Sequence, residues 1–239
     1  ADTSPAPDAS TEPRPHLVLV HGYLGVGANW DAAVEGLVDR GWQRQRIHAP
    51  SLGNTNDSII VLAQRVDATV AAIVAEEPEA RIDIVGHSLG AAVVRWWVTQ
   101  LGGLARVEHV VTVAGANQGN DAACVTTWAG RSSRQLCPAY ASESDSVDRV
   151  QWLLNGAADS SDVDQTPGGV EDGGTVRWTA IALDGDLIIQ PWQASCLDVV
   201  GRRDCSAPVN LVVDWPGTEH ISMIRDDRFI ALLAERLAL

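Results

Sequence analysis

The chain has 239 residues, 46% of them hydrophobic and 20% charged. These proportions are near the globular average and exclude an intrinsically disordered protein. Its 17 basic side chains, all arginine, and 31 acidic ones give a net charge of −14. We therefore expect neither nucleic acid nor an anionic membrane surface as a partner. The longest apolar runs are far shorter than the roughly 20 residues of a membrane-spanning helix, so no membrane span is expected.

Residues 1–15 include four prolines among small and acidic residues, which is typical of a flexible tail. The length of the chain suits one domain better than two, so residues 16–239 are expected to form a single domain. Within it, short apolar runs that predict strands alternate with segments of helical periodicity. The predicted strands are 17–20, 46–48, 82–85, 107–113, 176–183 and 208–213, and the predicted helices are 30–40 (with Asn29 as its cap), 58–76, 89–101, 147–154 and 226–237.

This alternation predicts an α/β fold with a mostly parallel sheet that helices cover on both faces. Residues 118–174 are the exception, because they are rich in Gly, Ser and Asp and contain a single helical segment. We expect them to be a loop-rich insertion over the carboxyl ends of the strands, where open α/β sheets build their sites. The alternative is a solvated linker with no part in function.

The four cysteines fall into two close pairs, Cys124 with Cys137 and Cys196 with Cys205. Neither pair has the spacing of a zinc site, and no histidine lies nearby. Two local disulfides are expected, although four cysteines allow three connectivities and four buried thiols are the alternative. The chain also begins without methionine, as a protein does after removal of a signal peptide. Both features predict a secreted, extracellular protein.

Residues 86–90 read G-H-S-L-G, which matches the pattern G-x-S-x-G, and they lie between a predicted strand and a predicted helix. A strand–turn–helix with a central serine is a nucleophile elbow, which would present the Ser88 hydroxyl in the crevice. The helix N-terminus beneath it favours an oxyanion. A serine that merely caps a helix is the alternative. His87 is expected to point away from the crevice.

A serine nucleophile needs a base, and the histidine in the best position is His220, in a loop between the last predicted strand and the last helix. The orienting acid should lie between serine and histidine in the chain, at the end of a strand. Asp184 and Asp186 both follow strand 176–183. Asp186 is favoured, because it directly precedes apolar residues that can anchor its loop.

An oxyanion hole needs two backbone N–H groups, each worth about 10²–10³ in rate. Leu89 follows the nucleophile, and Tyr23 lies in the glycine-containing loop after the first strand, so we expect their amides to form the hole. Apolar residues on loops that face the serine would form the acyl site, with ordinary packing as the alternative. These candidates are Leu24, Val26, Trp30 and Leu52.

The motifs resemble those of small secreted bacterial lipases and esterases of the α/β-hydrolase fold, in particular triacylglycerol lipases of the class 2 type. They also occur along the chain in the same order as in those enzymes. The resemblance spans residues 16–239, although residues 118–174 do not match it clearly. It implies a compact fold with little or no lid, which hydrolyses carboxylic esters and, in some relatives, polyesters. The triad that it implies consists of Ser88, Asp186 and His220.

This chemistry requires neither a metal nor an organic cofactor. A structural calcium ion on the acidic loops is an alternative, although the sequence contains no clear spacing of calcium ligands. The expected partner is a small-molecule or lipid ester, such as an acylglycerol, and the expected state is a monomer. Two other classes stay open: an acyltransferase on the same fold, which would pass its acyl group to an alcohol, and a non-catalytic secreted binding protein. A peptidase is a weaker third.

Overall fold

The computed structural model describes residues 14–140, 150–155, 176–197 and 205–238. Most of the expected tail and much of the expected insertion therefore lie outside the described residues. The strands are β1 (His16–Val20), β2 (Ile47–His48), β3 (Ile82–His87), β4 (Val107–Val113), β5 (Arg177–Leu183) and β6 (Asn210–Val213). The α-helices are α1 (Asp31–Val38), α2 (Ile59–Glu76), α3 (Leu89–Gln100), α4 (Arg131–Leu136), α5 (Val150–Asn155) and α6 (Asp227–Arg236).

The six strands form one parallel sheet in the order β2-β1-β3-β4-β5-β6. Side chains alternate between its faces, as the period of a strand requires. Along β1, Val18 and Val20 join a core formed with α2 and α3, whereas Leu17 and Leu19 join a core formed with α1 and α6. The predicted α/β architecture, with helices on both faces of a parallel sheet, is confirmed.

Two helix starts differ in their capping. Ser58 caps α2, because its hydroxyl accepts a hydrogen bond from the Val61 N–H at 3.2 Å. Asn29 does not cap α1, contrary to the prediction. A short 3₁₀ turn over Gly27–Trp30 precedes that helix, and the Asn29 side chain accepts from the Val26 N–H instead. Asn29 therefore stabilises the loop that follows β1.

Because the strands are parallel, their carboxyl ends meet at one edge of the sheet, where open α/β sheets bind ligands. The loops after β1, β3, β5 and β6 all leave the sheet at this edge, and they carry the motifs singled out above. Among the described helices, none combines the length and the apolar character that crossing a bilayer requires.

Candidate active site

Ser88 lies in a strained turn between β3 and α3. Its φ of 56° and ψ of −122° are rare for a residue with a side chain and cost about 1–3 kcal/mol. Two glycines make the turn sterically feasible. A Cβ on Gly86 would lie 2.5 Å from the Gly90 carbonyl oxygen, and a Cβ on Gly90 would lie 2.5 Å from the Val20 carbonyl oxygen. The G-x-S-x-G sequence thus adopts the geometry of a nucleophile elbow.

His220 and Asp186 form a buried hydrogen-bonded pair. The Nδ1 of His220 lies 2.7 Å from Oδ2 of Asp186, and both side chains are buried. A carboxylate oxygen only accepts, so Nδ1 carries the proton and the Nε2 of a neutral imidazole is left as an acceptor. The other carboxylate oxygen accepts the N–H groups of Ile188 and Ile189, at 2.8 and 3.2 Å. Asp184 is exposed, so of the two predicted acids the structure brings Asp186 to the histidine.

Ser88 and His220 line one cleft of about 370 Å³. The side chains of Ser88 and His220, both described, are not hydrogen-bonded to each other. Catalytic hydrogen bonds often shorten to normal length only in the complex with substrate. The serine, the acid and the histidine come from the loops after β3, β5 and β6. Their chain order, Ser–Asp–His, is that of α/β-hydrolases.

The two predicted oxyanion donors border this serine. Leu89 is the first residue of α3, so its N–H has no partner within the helix. The Tyr23 N–H meets no acceptor in the described part of the chain. Gly22 packs directly against the nucleophile, since a Cβ there would lie 2.8 Å from the Ser88 Cβ. This close approach brings the loop after β1 to the side of the serine.

The loop after β1, here called the β1 loop (residues 21–26), is held by a second loop over residues 51–57. The Leu24 N–H donates to Thr55 Oγ1 at 2.9 Å, and the Tyr23 hydroxyl donates to Asn56 Oδ1. His21 accepts the Leu52 N–H at Nε2. Burial lowers the pKa of His21, which keeps that nitrogen unprotonated and able to accept.

Only one of the four predicted acyl-site residues, Leu24, lines the cleft. Trp30 and Leu52 are fully buried in the two hydrophobic cores, so ordinary packing is their role. Val26 is about half exposed but does not border the cleft. Sequence reasoning missed three isoleucines that do line it. These residues are Ile188, Ile221 and Ile224. Their position in the sequence, close to Asp186 or His220, could have indicated that they border the site.

His87 does not point away from the site, contrary to the prediction. The residue borders the cleft, and its Nε2 lies 3.0 Å from the main-chain oxygen of His220. The centroids of the two rings are 4.8 Å apart. Burial lowers the pKa of His87 to about 3. His87 is therefore a neutral side chain packed between the Trp30 ring and the ring of His220.

The structure contains both local disulfides, Cys124–Cys137 and Cys196–Cys205. The first one lies within residues 120–137, here called the bridging segment, which contacts the loop that carries Asp186 and the loop over residues 51–57. Its residue Asn120 donates to the Ile188 carbonyl and accepts from the Gln190 N–H, both at 3.0 Å.

The other end of the bridging segment contacts residues 51–57, which hold the β1 loop. The Arg131 N–H donates to the Asn56 carbonyl at 2.8 Å, and the Ser132 hydroxyl donates to the Thr55 carbonyl at 2.6 Å. Residues 120–137 thus connect the loop that carries Asp186 to the residues that hold the β1 loop. The described part of residues 118–174 therefore supports the site through hydrogen bonds, which a solvated linker would not make.

Removal of the Cys124–Cys137 disulfide is expected to lower turnover more than its effect on stability explains. The double variant Cys124→Ser/Cys137→Ser should lose about 2–3 kcal/mol of unfolding free energy. It should also lose several-fold in kcat well below its melting temperature, because the bridging segment would hold the Asp186 loop and residues 51–57 less firmly. Cys196→Ser/Cys205→Ser is the matched control, since it opens a loop of similar length outside that segment. Equal losses of kcat in the two variants would contradict this role.

Comparison with known proteins finds similarity to several hydrolases. Residues 11–115 match the family described as "Putative serine esterase (DUF676)". A pyrethroid hydrolase from Sphingobium wenxiniae is 33% identical over 108 residues, which are 41% of this chain and 37% of that protein. The matched region thus spans little more than a third of that relative's length.

Two solved structures are similar over almost their whole length. A lipase from Bacillus licheniformis in mature form has a TM-score of 0.62 at 15% identity, with 96% of each chain covered. A pyrethroid hydrolase from Sphingobium faniae has a TM-score of 0.53 at 15% identity, with 93% of this chain and 96% of that chain covered. These likenesses show that the chain has the α/β-hydrolase fold.

Proposed function

We propose that this protein is a serine hydrolase that cleaves carboxylic esters through an acyl-enzyme. The observation that carries the proposal is the buried hydrogen bond between His220 and Asp186 beside a serine in a strained turn. His220 and that serine, Ser88, border the same cleft. The match of residues 11–115 to a family described as serine esterases supports it. So does the 33% identity over 108 residues to a protein named as a pyrethroid hydrolase.

In the proposed mechanism, the free Nε2 of His220 takes the proton of the Ser88 hydroxyl as Oγ attacks the ester carbonyl. Asp186 keeps the imidazole in the tautomer with Nδ1–H and stabilises the imidazolium that forms. The N–H groups of Tyr23 and Leu89 donate hydrogen bonds to the developing oxyanion. His220 then protonates the leaving alcohol, and water repeats the sequence on the acyl-enzyme.

The proposed substrates are apolar, uncharged esters, with acylglycerols as the main class and polyesters as further candidates. The rim of the cleft carries exposed apolar side chains: Leu24 is 76% exposed, Ile221 63% and Ile188 49%. The net charge of −14 disfavours anionic substrates. A cleft of about 370 Å³ is within the size of ordinary small-molecule sites. Secretion is part of the proposal, supported by the two disulfides.

The test is a stopped-flow assay with p-nitrophenyl esters of increasing chain length. An acyl-enzyme predicts a burst of p-nitrophenol, about one equivalent per active site, when deacylation is slower than acylation. Product analysis in the presence of a competing alcohol separates hydrolysis from acyl transfer, since a hydrolase releases mainly the free acid. A binding protein would show neither a burst nor covalent labelling by an organophosphonate, and this result would refute the proposal.

The rim residue Ile221 is expected to select for longer acyl or alcohol chains. Ile221→Ser should lower kcat/KM for p-nitrophenyl octanoate about five- to tenfold while leaving the acetate within about twofold, because only the longer chain buries apolar surface there. Val212→Ser is the control, since Val212 is a similarly exposed apolar residue that does not border the cleft. Equal effects on the octanoate and the acetate would mean that Ile221 does not contact the substrate.

A further inference from the structure

The histidine before the nucleophile has a place in the structure that the elbow itself does not require. The turn needs glycine at residues 86 and 90 and a nucleophile at 88, but it leaves the side chain at 87 free to vary. In this chain residue 87 is nonetheless an imidazole with a defined partner. Its Nε2 is 3.0 Å from the His220 carbonyl oxygen, across 133 residues of sequence.

The partner determines the protonation state of His87. A carbonyl oxygen only accepts, so Nε2 carries the proton and donates it. The charged or titratable groups that face this ring are His220, Asp186 and His21. Burial opposes the cationic form of His87 most strongly, and its pKa falls to about 3. The ring is therefore neutral over the whole range in which an esterase of this type would work.

Neutrality matters because His220 becomes an imidazolium during the proposed reaction. The two ring centroids are 4.8 Å apart, so a second cation at residue 87 would oppose that step. Trp30 closes the other side, with its ring edge-on to His87 at 6.4 Å between centroids. The uncharged rings of Trp30 and His87 thus pack one after the other against the imidazole of His220.

We propose that His87 is a positioning residue for the base: its Nε2–H donates to the main-chain carbonyl of His220, and its ring packs against the His220 imidazole. The proposal rests on the proposed function, because it concerns the same site. It assigns to His87 no contact with the substrate and no proton transfer. The hydrogen bond to the backbone and the ring contact act together, since both limit the movement of His220.

The test compares two substitutions that separate hydrogen bonding from packing. His87→Gln keeps an N–H donor near the position of Nε2, whereas His87→Met fills similar space without a donor. In His87→Met we expect kcat for p-nitrophenyl butyrate to fall about 10- to 100-fold with KM within about twofold, because a small misplacement of a catalytic group costs this much. His87→Gln should recover most of that loss.

A second readout reports on the base directly. The proton shared by His220 Nδ1 and Asp186 gives a far-downfield NMR resonance, which we expect to broaden or shift in His87→Met and to persist in His87→Gln. Melting curves establish that both variants are folded at the assay temperature. Wild-type kcat and an unchanged resonance in His87→Met would overturn the proposal, as would an equal loss of kcat in both variants.

The same data separate this inference from the proposed function. If the wild type shows no burst and no labelling, the proposed function fails. The downfield resonance then still decides whether His87 holds His220 in place, because it is observed in the free protein. If the wild type shows a burst and His87→Met matches it in rate and in spectrum, only the role of His87 is wrong.

Discussion

Ser88→Ala is expected to abolish the burst with p-nitrophenyl esters and to lower kcat by about 10⁴–10⁶. The change removes only Oγ, so no acyl-enzyme can form. Alanine has the same Cβ as serine and adopts the φ of 56° at the same cost, so the turn should be retained. The measurements are stopped-flow kinetics and intact-protein mass after reaction with an organophosphonate.

The matched control is Ser222→Ala, which removes an exposed hydroxyl from the loop that carries His220. Within the part of the chain that the structure describes, the hydrogen bonds of that hydroxyl are all with the backbone of Glu219. We expect its burst, its turnover and its labelling to stay close to the wild type. Hydrolysis that persists in Ser88→Ala at more than a small fraction of the wild-type rate would show that another residue is the nucleophile.

Asp186→Asn is expected to lower kcat by about 10⁴, because it forces the wrong tautomer on the base. Oδ1 of Asp186 accepts the N–H groups of Ile188 and Ile189, so the amide oxygen of an asparagine would take that place. Its NH₂ group would then face Nδ1 of His220. That nitrogen would have to accept, which moves the proton to Nε2, where it blocks uptake of the Ser88 proton.

Asp184→Asn is the comparison for this prediction. Asp184 is exposed and lies two residues before the acid that contacts His220, so we expect kcat within about twofold of the wild type. Both variants should be assayed at the same pH and with melting curves. A large loss in Asp184→Asn together with near-normal activity in Asp186→Asn would transfer the role of the acid to Asp184.

Several parts of the site follow from local patterns in the sequence. The elbow is one, because its glycines are required by contacts within the turn and with the strand beside it. The order of strands and helices is another, since hydrophobic periodicity reflects which face of each element is buried. The position of His220 after the last strand could also be predicted, because parallel strands bring their carboxyl ends to one edge.

Other parts depend on distances between loops that are far apart in the chain. The interpretation of Trp30 as an acyl-site residue was wrong because the 3₁₀ turn before α1 directs its ring into the core, against Phe229 and His87. His87 was expected to point away because its neighbour in sequence is the nucleophile. Its actual direction depends on the backbone of His220, 133 residues later. No local pattern contains that information.

The sequence by itself determined the fold class, the serine turn and the loop that carries the histidine, because each depends on periodicity or on sterics within a few residues. Only the tertiary structure decided between Asp184 and Asp186, since that choice depends on which carboxylate meets an imidazole 34 residues further along. It also revealed that residues 120–137 connect the loop that carries Asp186 to residues 51–57, which support the loop after β1. The physical reason is the same in both cases: hydrogen bonds between loops depend on their positions in space.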